Sequence, residues 1–187
     1  MTAAHDARFG FGSRPGLDLT WTLRFRSVQP RELLNTGDDL RDWLLTAGLP
    51  VGGVPTDAEL EAAHSLREAV YRAARRVIDG RPIARGDRKV INEAAAEPVP
   101  APQLSGDGEV VLVADGDSFA SLLAMVARDA IEVLGAGDGR LRLCTDELCS
   151  LVFYDESRPG QRRWCATARC GNRANTKAYR ARKGTSQ

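Results

Sequence analysis

The sequence predicts an α+β protein: a mainly helical N-terminal domain with a few strands, joined to a small, treble-clef-like C-terminal finger with four cysteines. Three observations carry this reading. Apolar residues recur at helical spacing through roughly the first 135 positions, all four cysteines fall in the last 44 residues, and the charge divides sharply at Arg140. Residues 1–139 hold 15 basic and 21 acidic side chains, whereas residues 140–187 hold 11 basic and 4 acidic. From position 157 onward there is no acidic residue against nine Lys or Arg. A basic segment of this kind is suited to a polyanion, while the acidic part serves another purpose.

The 43% hydrophobic and 27% charged content is that of an ordinary soluble globular chain and excludes wholesale disorder. Arginine outnumbers lysine 23 to 3, as expected of a GC-rich bacterial genome, so the arginine count alone carries no argument. No stretch approaches the ~20 apolar residues of a membrane helix, and the first residues lack the apolar region of a secretory signal. A cytoplasmic protein without membrane contact is expected.

The elements follow in order. After a loose, Gly-rich start, residues 17–25 alternate apolar and polar, with Leu17, Leu19, Trp21, Leu23 and Phe25 on one face, which predicts a half-buried strand. Thr36 and Asp39 form a capping box ahead of Leu40, Trp43, Leu44 and Ala47, a helix stopped by Gly48 and Pro50. Thr56 and Glu59 open a longer helix carrying Leu60, Ala63, Leu66, Val70, Ala74 and Val77, ended by Gly80 and Pro82. A third helix covers residues 85–96, and Pro98, Pro100 and Pro102 make a stiff, extended connection. Residues 109–114 read as a strand. Residues 118–134 read as an apolar helix with Phe119, Leu122, Leu123, Val126, Ala130 and Val133 toward a core. The Gly-Ala-Gly-Asp-Gly run at 135–139 marks a boundary between domains 1–139 and 140–187. It follows a helix and does not join a strand to one, so it is no dinucleotide loop.

The cysteines stand as Cys144-x4-Cys149 and Cys165-x4-Cys170, separated by 15 residues. Two equal pairs across a loop supply four soft ligands for one tetrahedral zinc ion. Four protein ligands leave no open position for water, so the metal is structural. Disulfides are disfavoured in a reducing cytoplasm. A segment of this size, with Leu141, Leu143, Leu148, Leu151, Val152, Phe153, Tyr154 and Trp164 as its main apolar content, also needs the metal to fold. The expected order is a knuckle at 144–149, strands at 151–154 and 162–164 around a turn at 157–160, and a helix from Cys170 toward Lys183.

The run Trp164-Cys165-Ala-Thr-Ala-Arg-Cys170-Gly171-Asn172-Arg173, with Cys144-Thr-Asp-Glu-Leu-Cys149 upstream, resembles the CGNR zinc-finger family over residues 141–183. In that family the finger follows a domain called ABATE. Residues 31–44 (Arg-Glu-Leu-Leu-Asn-Thr-Gly-Asp-Asp-Leu-Arg-Asp-Trp-Leu) and the capped helices after them are similar to it. Where family members carry an Asn-Thr pair in the first strand, this chain has Thr20-Trp21-Thr22, so a role tied to that asparagine does not carry over. The resemblance implies a stress-induced transcription regulator that binds DNA through its finger.

On a helix after Cys170, Arg173, Lys177 and Arg180 fall at i, i+4 and i+7 on one face, beside a stripe of Ala174, Ala178 and Ala181. With Arg162, Arg163, Arg182 and Lys183 they form the expected nucleic-acid surface, and Asn172 and Asn175 are candidates for adenine edges. The competing reading is structural. A four-thiolate zinc centre carries a charge of about −2, which Arg162, Arg163, Arg169 and Arg173 are placed to neutralise. Asn172 and Arg173, directly after a ligand, are placed to hold the turn or bond a sulfur.

No Gly-x-Ser-x-Gly, His-Glu-x-x-His or Walker loop is present, His5 lies in the loose start and His64 inside a helix, so no enzyme is expected. The leading expectation is a zinc-dependent DNA-binding regulator, with homodimerisation expected from the habit of such proteins. The alternatives are an adaptor whose finger docks on an acidic protein partner, and an RNA binder. Only Tyr179 and Trp164 are available for base stacking, which argues against RNA. Trp21, Trp43 and Leu122-Leu123 outline a possible effector pocket in the N-terminal domain.

Overall fold

A computed structural model describes residues 8–10, 12, 14–49, 51–113 and 119–184. His5, Pro50 and the ends at Ala114 and Ser118 of two expected elements lie outside the described residues. The chain runs through α1 (Pro15–Asp18), a 3-10 turn (Leu19–Thr22), β1 (Leu23–Arg24), β2 (Arg31–Glu32), α2 (Gly37–Thr46), α3 (Asp57–Ile78) and α4 (Arg85–Ala96). It continues through β3 (Ala101–Leu104), β4 (Val110–Val113), α5 (Phe119–Gly135), β5 (Leu141–Leu143), β6 (Val152–Tyr154), a wide π-type turn (Thr167–Gly171) and α6 (Asn172–Gly184). The strands make three antiparallel pairs, β1 with β2, β3 with β4 and β5 with β6. None of the described helices is long and apolar enough to cross a membrane.

Both capping boxes are formed. Thr36 Oγ1 accepts from the Asp39 N–H while Asp39 receives the Thr36 N–H, and Thr56 and Glu59 do the same for α3. The helices bury the stripes their spacing specifies: Leu40, Trp43 and Leu44 on α2, Leu60, Ala63, Leu66, Val70 and Ala74 on α3, and Leu122, Leu123, Val126, Ala130 and Val133 on α5. Gly48, in the left-handed region at φ 76°, follows the last turn of α2. α1 crosses α5 so closely that a Cβ on Gly16 would stand 2.5 Å from the Ala130 backbone nitrogen, which leaves glycine as the residue that fits.

The expected strand at 17–25 is mostly helical. Pro15 begins a single α-turn with φ already set, and the 3-10 turn continues it, leaving two residues extended. Thr20 Oγ1 donates to the Leu17 carbonyl at 2.6 Å and Thr22 Oγ1 to Leu19 at 2.7 Å, local bonds that a strand does not offer. Alternation misled because the positions between the apolar ones, Asp18, Thr20 and Thr22, are buried as well. The proline connection is extended as expected, and it leads straight into β3, which pairs with β4 in the register Pro102↔Leu112.

Asp18 is 2% exposed and accepts the Gly12 N–H at 2.7 Å. Burial pushes its carboxyl up to about 7, with Asp129 and Glu156 adding to the rise against the backbone donors of Gly12 and Arg14. The folded chain therefore holds this proton more tightly than the unfolded chain. Its contribution to stability is full near pH 4, falls as pH rises toward 7 and is flat above. Asp18→Asn, which keeps an acceptor for Gly12, is expected to remove this slope and to gain on the order of 3 kcal/mol over the parent at pH 8 relative to pH 4. Urea unfolding of both proteins across that range is the check.

Candidate metal centre

The antiparallel pair β5–β6, in the register Leu141↔Tyr154 and Leu143↔Val152, delivers the first two cysteines. Cys144 N–H extends the ladder to the Leu151 carbonyl at 2.9 Å. The chain turns back through a knuckle in which Asp146 accepts the Leu148 N–H on its side chain and the Cys149 N–H on its carbonyl. Ser150, at φ 49°, completes the reversal. The other pair sits at the π-type turn, where the Cys170 N–H reaches the Ala166 carbonyl at 3.0 Å just before α6 begins.

The sequence predicts a second hairpin strand at 162–164, and none forms. The strand partner of β6 is β5, on the far side of the knuckle. The reason is Asp155, which is fully buried and organises the 155–162 loop. It accepts the Ser157 N–H and hydroxyl on one oxygen and the Arg162 N–H, at 2.7 Å, on the other. That N–H is then not available to a strand ladder. Arg140 closes the same loop by donating to the carbonyls of Asp155 and Ser157, both at 2.8 Å.

The four Sγ atoms lie within 4.8 Å of one another, with Cys149–Cys165 at 3.5 Å and Cys165–Cys170 at 3.7 Å. These separations are far too long for disulfides. They suit the edges of a tetrahedron with bonds of about 2.3 Å to a central zinc ion. All four residues are buried. As bare thiols they share protons unequally. Hydrogen bonds from Cys149 and Cys165 hold Cys144 low, the bond to Cys144 raises Cys149, Cys144 and Cys149 raise Cys165, and burial raises Cys170. A divalent cation among the four sulfurs stabilises all of them as thiolates, and its binding releases the protons they hold. The residues fit one structural zinc ion, and its chemistry is cross-linking.

The residues around the sulfurs explain the motif. A Cβ on Gly171 would press at 3.3 Å against the Trp164 ring and against Thr167. Asn172 Nδ2 donates to the Ala168 carbonyl at 3.0 Å and so ties α6 to the π-type turn. Arg173 donates through Nη2 to Cys170 Sγ at 3.8 Å and through Nε to Asp146 at 2.7 Å, which joins the two cysteine arms. Thr145 adds two bonds to the Arg163 carbonyl, at 2.9 and 3.0 Å.

The basic residues divide by partner. Arg162 Nη2 is taken by the Cys165 carbonyl and its guanidinium lies over Phe153. Lys177 pairs with Glu147 at 2.7 Å. Arg163 lies over the Trp164 ring, and Lys183 over the exposed Tyr179. Among the described residues Arg163, Arg169, Arg180 and Lys183 have no carboxylate within 4.0 Å, and Arg182 is exposed. Along α6 every described side chain is exposed apart from the half-buried Ala174; those of Ala178 and Ala181 lie outside the described residues.

Trp21 is the functional residue that spacing alone misplaces. It packs with the four cysteines, Leu151 and Phe153, and its Nε1 donates to the Val152 carbonyl at 2.6 Å. Conversely, Leu141 and Val152 of the finger belong to the core formed by α1, α2, α3 and α5, and Tyr71 on α3 donates to the Ser150 carbonyl at 3.1 Å. Trp43, Leu122 and Leu123 are buried in that core and Trp21 is in the other cluster, so these four do not form the expected pocket.

A search of curated protein sequences finds no match for the chain. Two family models do match: ABATE, described as "Putative stress-induced transcription regulator", over residues 13–137, and the CGNR zinc finger over residues 140–183. Four clustered thiols in the finger and capped helices ahead of it agree with both spans, and the chain belongs to the ABATE family, with a zinc-binding CGNR finger at its C-terminal side.

Proposed function

We propose that the protein is a cytoplasmic, zinc-dependent transcription regulator that binds DNA through α6 and the adjoining loop of the finger, and that it is no enzyme. The observation that carries this reading is α6 itself, a thirteen-residue helix without an acidic side chain, held at its first turn beside the four cysteines, with every described side chain beyond Ala174 exposed. Short helices rich in like charges are marginal in water and are stabilised when a polyanion supplies the missing counter-charge. Arg163, Arg180, Arg182 and Lys183 are the phosphate contacts of this reading, and Asn175 the candidate for a base edge. Arg173, with Asn172, serves the zinc centre first. Lys177 contributes once Glu147 releases it, a small cost for an exposed pair.

Homodimerisation belongs to the same reading. It is supported by the β3–β4 hairpin, whose Leu104 and Val110 are 77% and 70% exposed. Pro102 deprives β3 of an N–H, whereas β4 pairs with β3 alone among the described residues. Antiparallel pairing of β4 with its copy is two-fold symmetric, as dimers that read paired half-sites require.

Equilibrium binding of the zinc-loaded chain to a random duplex at several salt concentrations tests the proposal. Affinity is expected to fall steeply with salt, with a logarithmic slope of about −3 to −5 for the four or five contacts named. Salt-independent or absent binding removes the DNA reading and leaves the finger as a dock for an acidic protein.

A further inference from the structure

A second site lies where the two parts of the chain meet. The C-terminal ends of α3 and α5 and the first finger strand enclose an open cavity of about 530 Å³, within the range of small-molecule sites. Its floor is apolar, formed by Val77, Ile78, Val133, Leu141 and Leu143, and its finger side carries Arg142, Arg162 and Arg163. The one carboxylate in the wall, Asp138, is already engaged by the Tyr154 hydroxyl and the Arg140 N–H. On the other side, Arg163 has no carboxylate partner among the described residues, whereas Arg142 Nε lies 4.0 Å from the buried Asp155 carboxylate. Arg142 Nη2 is fixed by the Gly160 carbonyl at 2.7 Å, so the guanidinium is preorganised. An apolar floor beside Arg163, a guanidinium without a carboxylate partner, selects a ligand with an apolar body and one anionic head.

We infer that this cavity binds an aliphatic carboxylate, with its chain on Val77, Ile78 and Val133 and its head toward Arg163. The ligand bridges the helical domain and the finger, because it touches the ends of α3 and α5 on one side and β5 with the 161–163 loop on the other. The loop is in turn bonded to the knuckle through the Arg163 carbonyl and Thr145, next to Cys144. The inference concerns the cavity and stands whether or not the finger binds DNA.

The test is titration of the zinc-loaded full chain with octanoate, followed by methyl NMR signals of Val77, Ile78, Val133, Leu141 and Leu143 and by calorimetry. Octylammonium and acetate, which lack the anionic head and the apolar body respectively, are the comparison probes. Saturable shifts of these methyls with octanoate are expected, together with much weaker binding of both comparison probes. Arg163→Gln, a change at an exposed side chain, is expected to weaken octanoate at least about tenfold. Val77→Phe, at the half-buried edge of the floor, is expected to compete for the same space. The inference is overturned if octanoate produces no saturable shift of these methyls, if octylammonium binds as well as octanoate, or if Arg163→Gln leaves octanoate affinity unchanged.

Discussion

Removal of zinc, by a strong chelator or by Cys165→Ser, is expected to lower the thermal midpoint of the entire chain and not of the finger alone. The four cysteines are the centre of a buried cluster that includes Trp21 from the helical part, while Leu141 and Val152 of the finger complete the main core. Zinc binding contributes about 10–16 kcal/mol in small finger peptides, which equals or exceeds the 5–15 kcal/mol by which a whole domain is typically stable. Once the metal is lost, nothing ties the two cysteine arms at the centre of this cluster together, and the packing of the hairpin β5–β6 against the helices is weakened. The strands then leave Leu17, Val133 and their neighbours open to water. Calorimetry with and without chelator is the measurement. A single transition that moves down by many degrees is the expected result. An N-terminal transition that stays in place while the finger melts separately would show two independent bodies.

The second large effect is expected at Arg67, in the helical part of the chain. This guanidinium is 3% exposed, yet it makes a two-pronged pair with Glu32 at 2.7 Å on both prongs, reaches Glu68 at 2.9 Å and donates to Thr22 Oγ1 at 3.1 Å. Glu32 in turn accepts the N–H groups of Leu33 and Leu34, and Glu68 holds Arg26, which stacks on Tyr71 at 4.1 Å. Arg67→Ala leaves Glu32 without its counter-charge in a half-buried position, a loss of about 3–5 kcal/mol. Arg67→Lys restores the charge without the planar fork and is expected to recover part of it. Urea midpoints of the three proteins decide the point, and an Arg67→Ala midpoint equal to the parent's would mean that the network adds nothing.

Much of the fold is legible in the sequence, for local reasons. The capping boxes at Thr36 and Thr56 and the apolar stripes of α2, α3 and α5 need no tertiary information, and the four cysteines announce their cluster by spacing. Two errors have one origin. Residues 17–25 alternate as strands do and residues 162–164 follow a turn signal at 157–160, but tertiary partners decide their form: burial on every side and threonine back-bonding for the first, and capture of the Arg162 N–H by buried Asp155 for the second. Membership of Trp21 in the metal cluster has no local signal, because it depends on how two distant segments dock. Charge counting likewise could not say which arginines are spent. Arg140, Arg142, Arg162 and Arg173 hold carbonyls, a carboxylate or a sulfur, whereas Arg163 and Arg180 have no such acceptor.

The proposal that α6 reads DNA is tested most directly by selecting the zinc-loaded protein on a random duplex pool near physiological salt, alongside the Lys177→Ala/Arg180→Ala double variant. Both side chains are exposed, so the variant keeps the metal centre and the core. An enriched sequence that the parent selects and the double variant does not is the result expected. If nothing is enriched, or if the double variant enriches the same sequence as strongly, α6 is not the reading element.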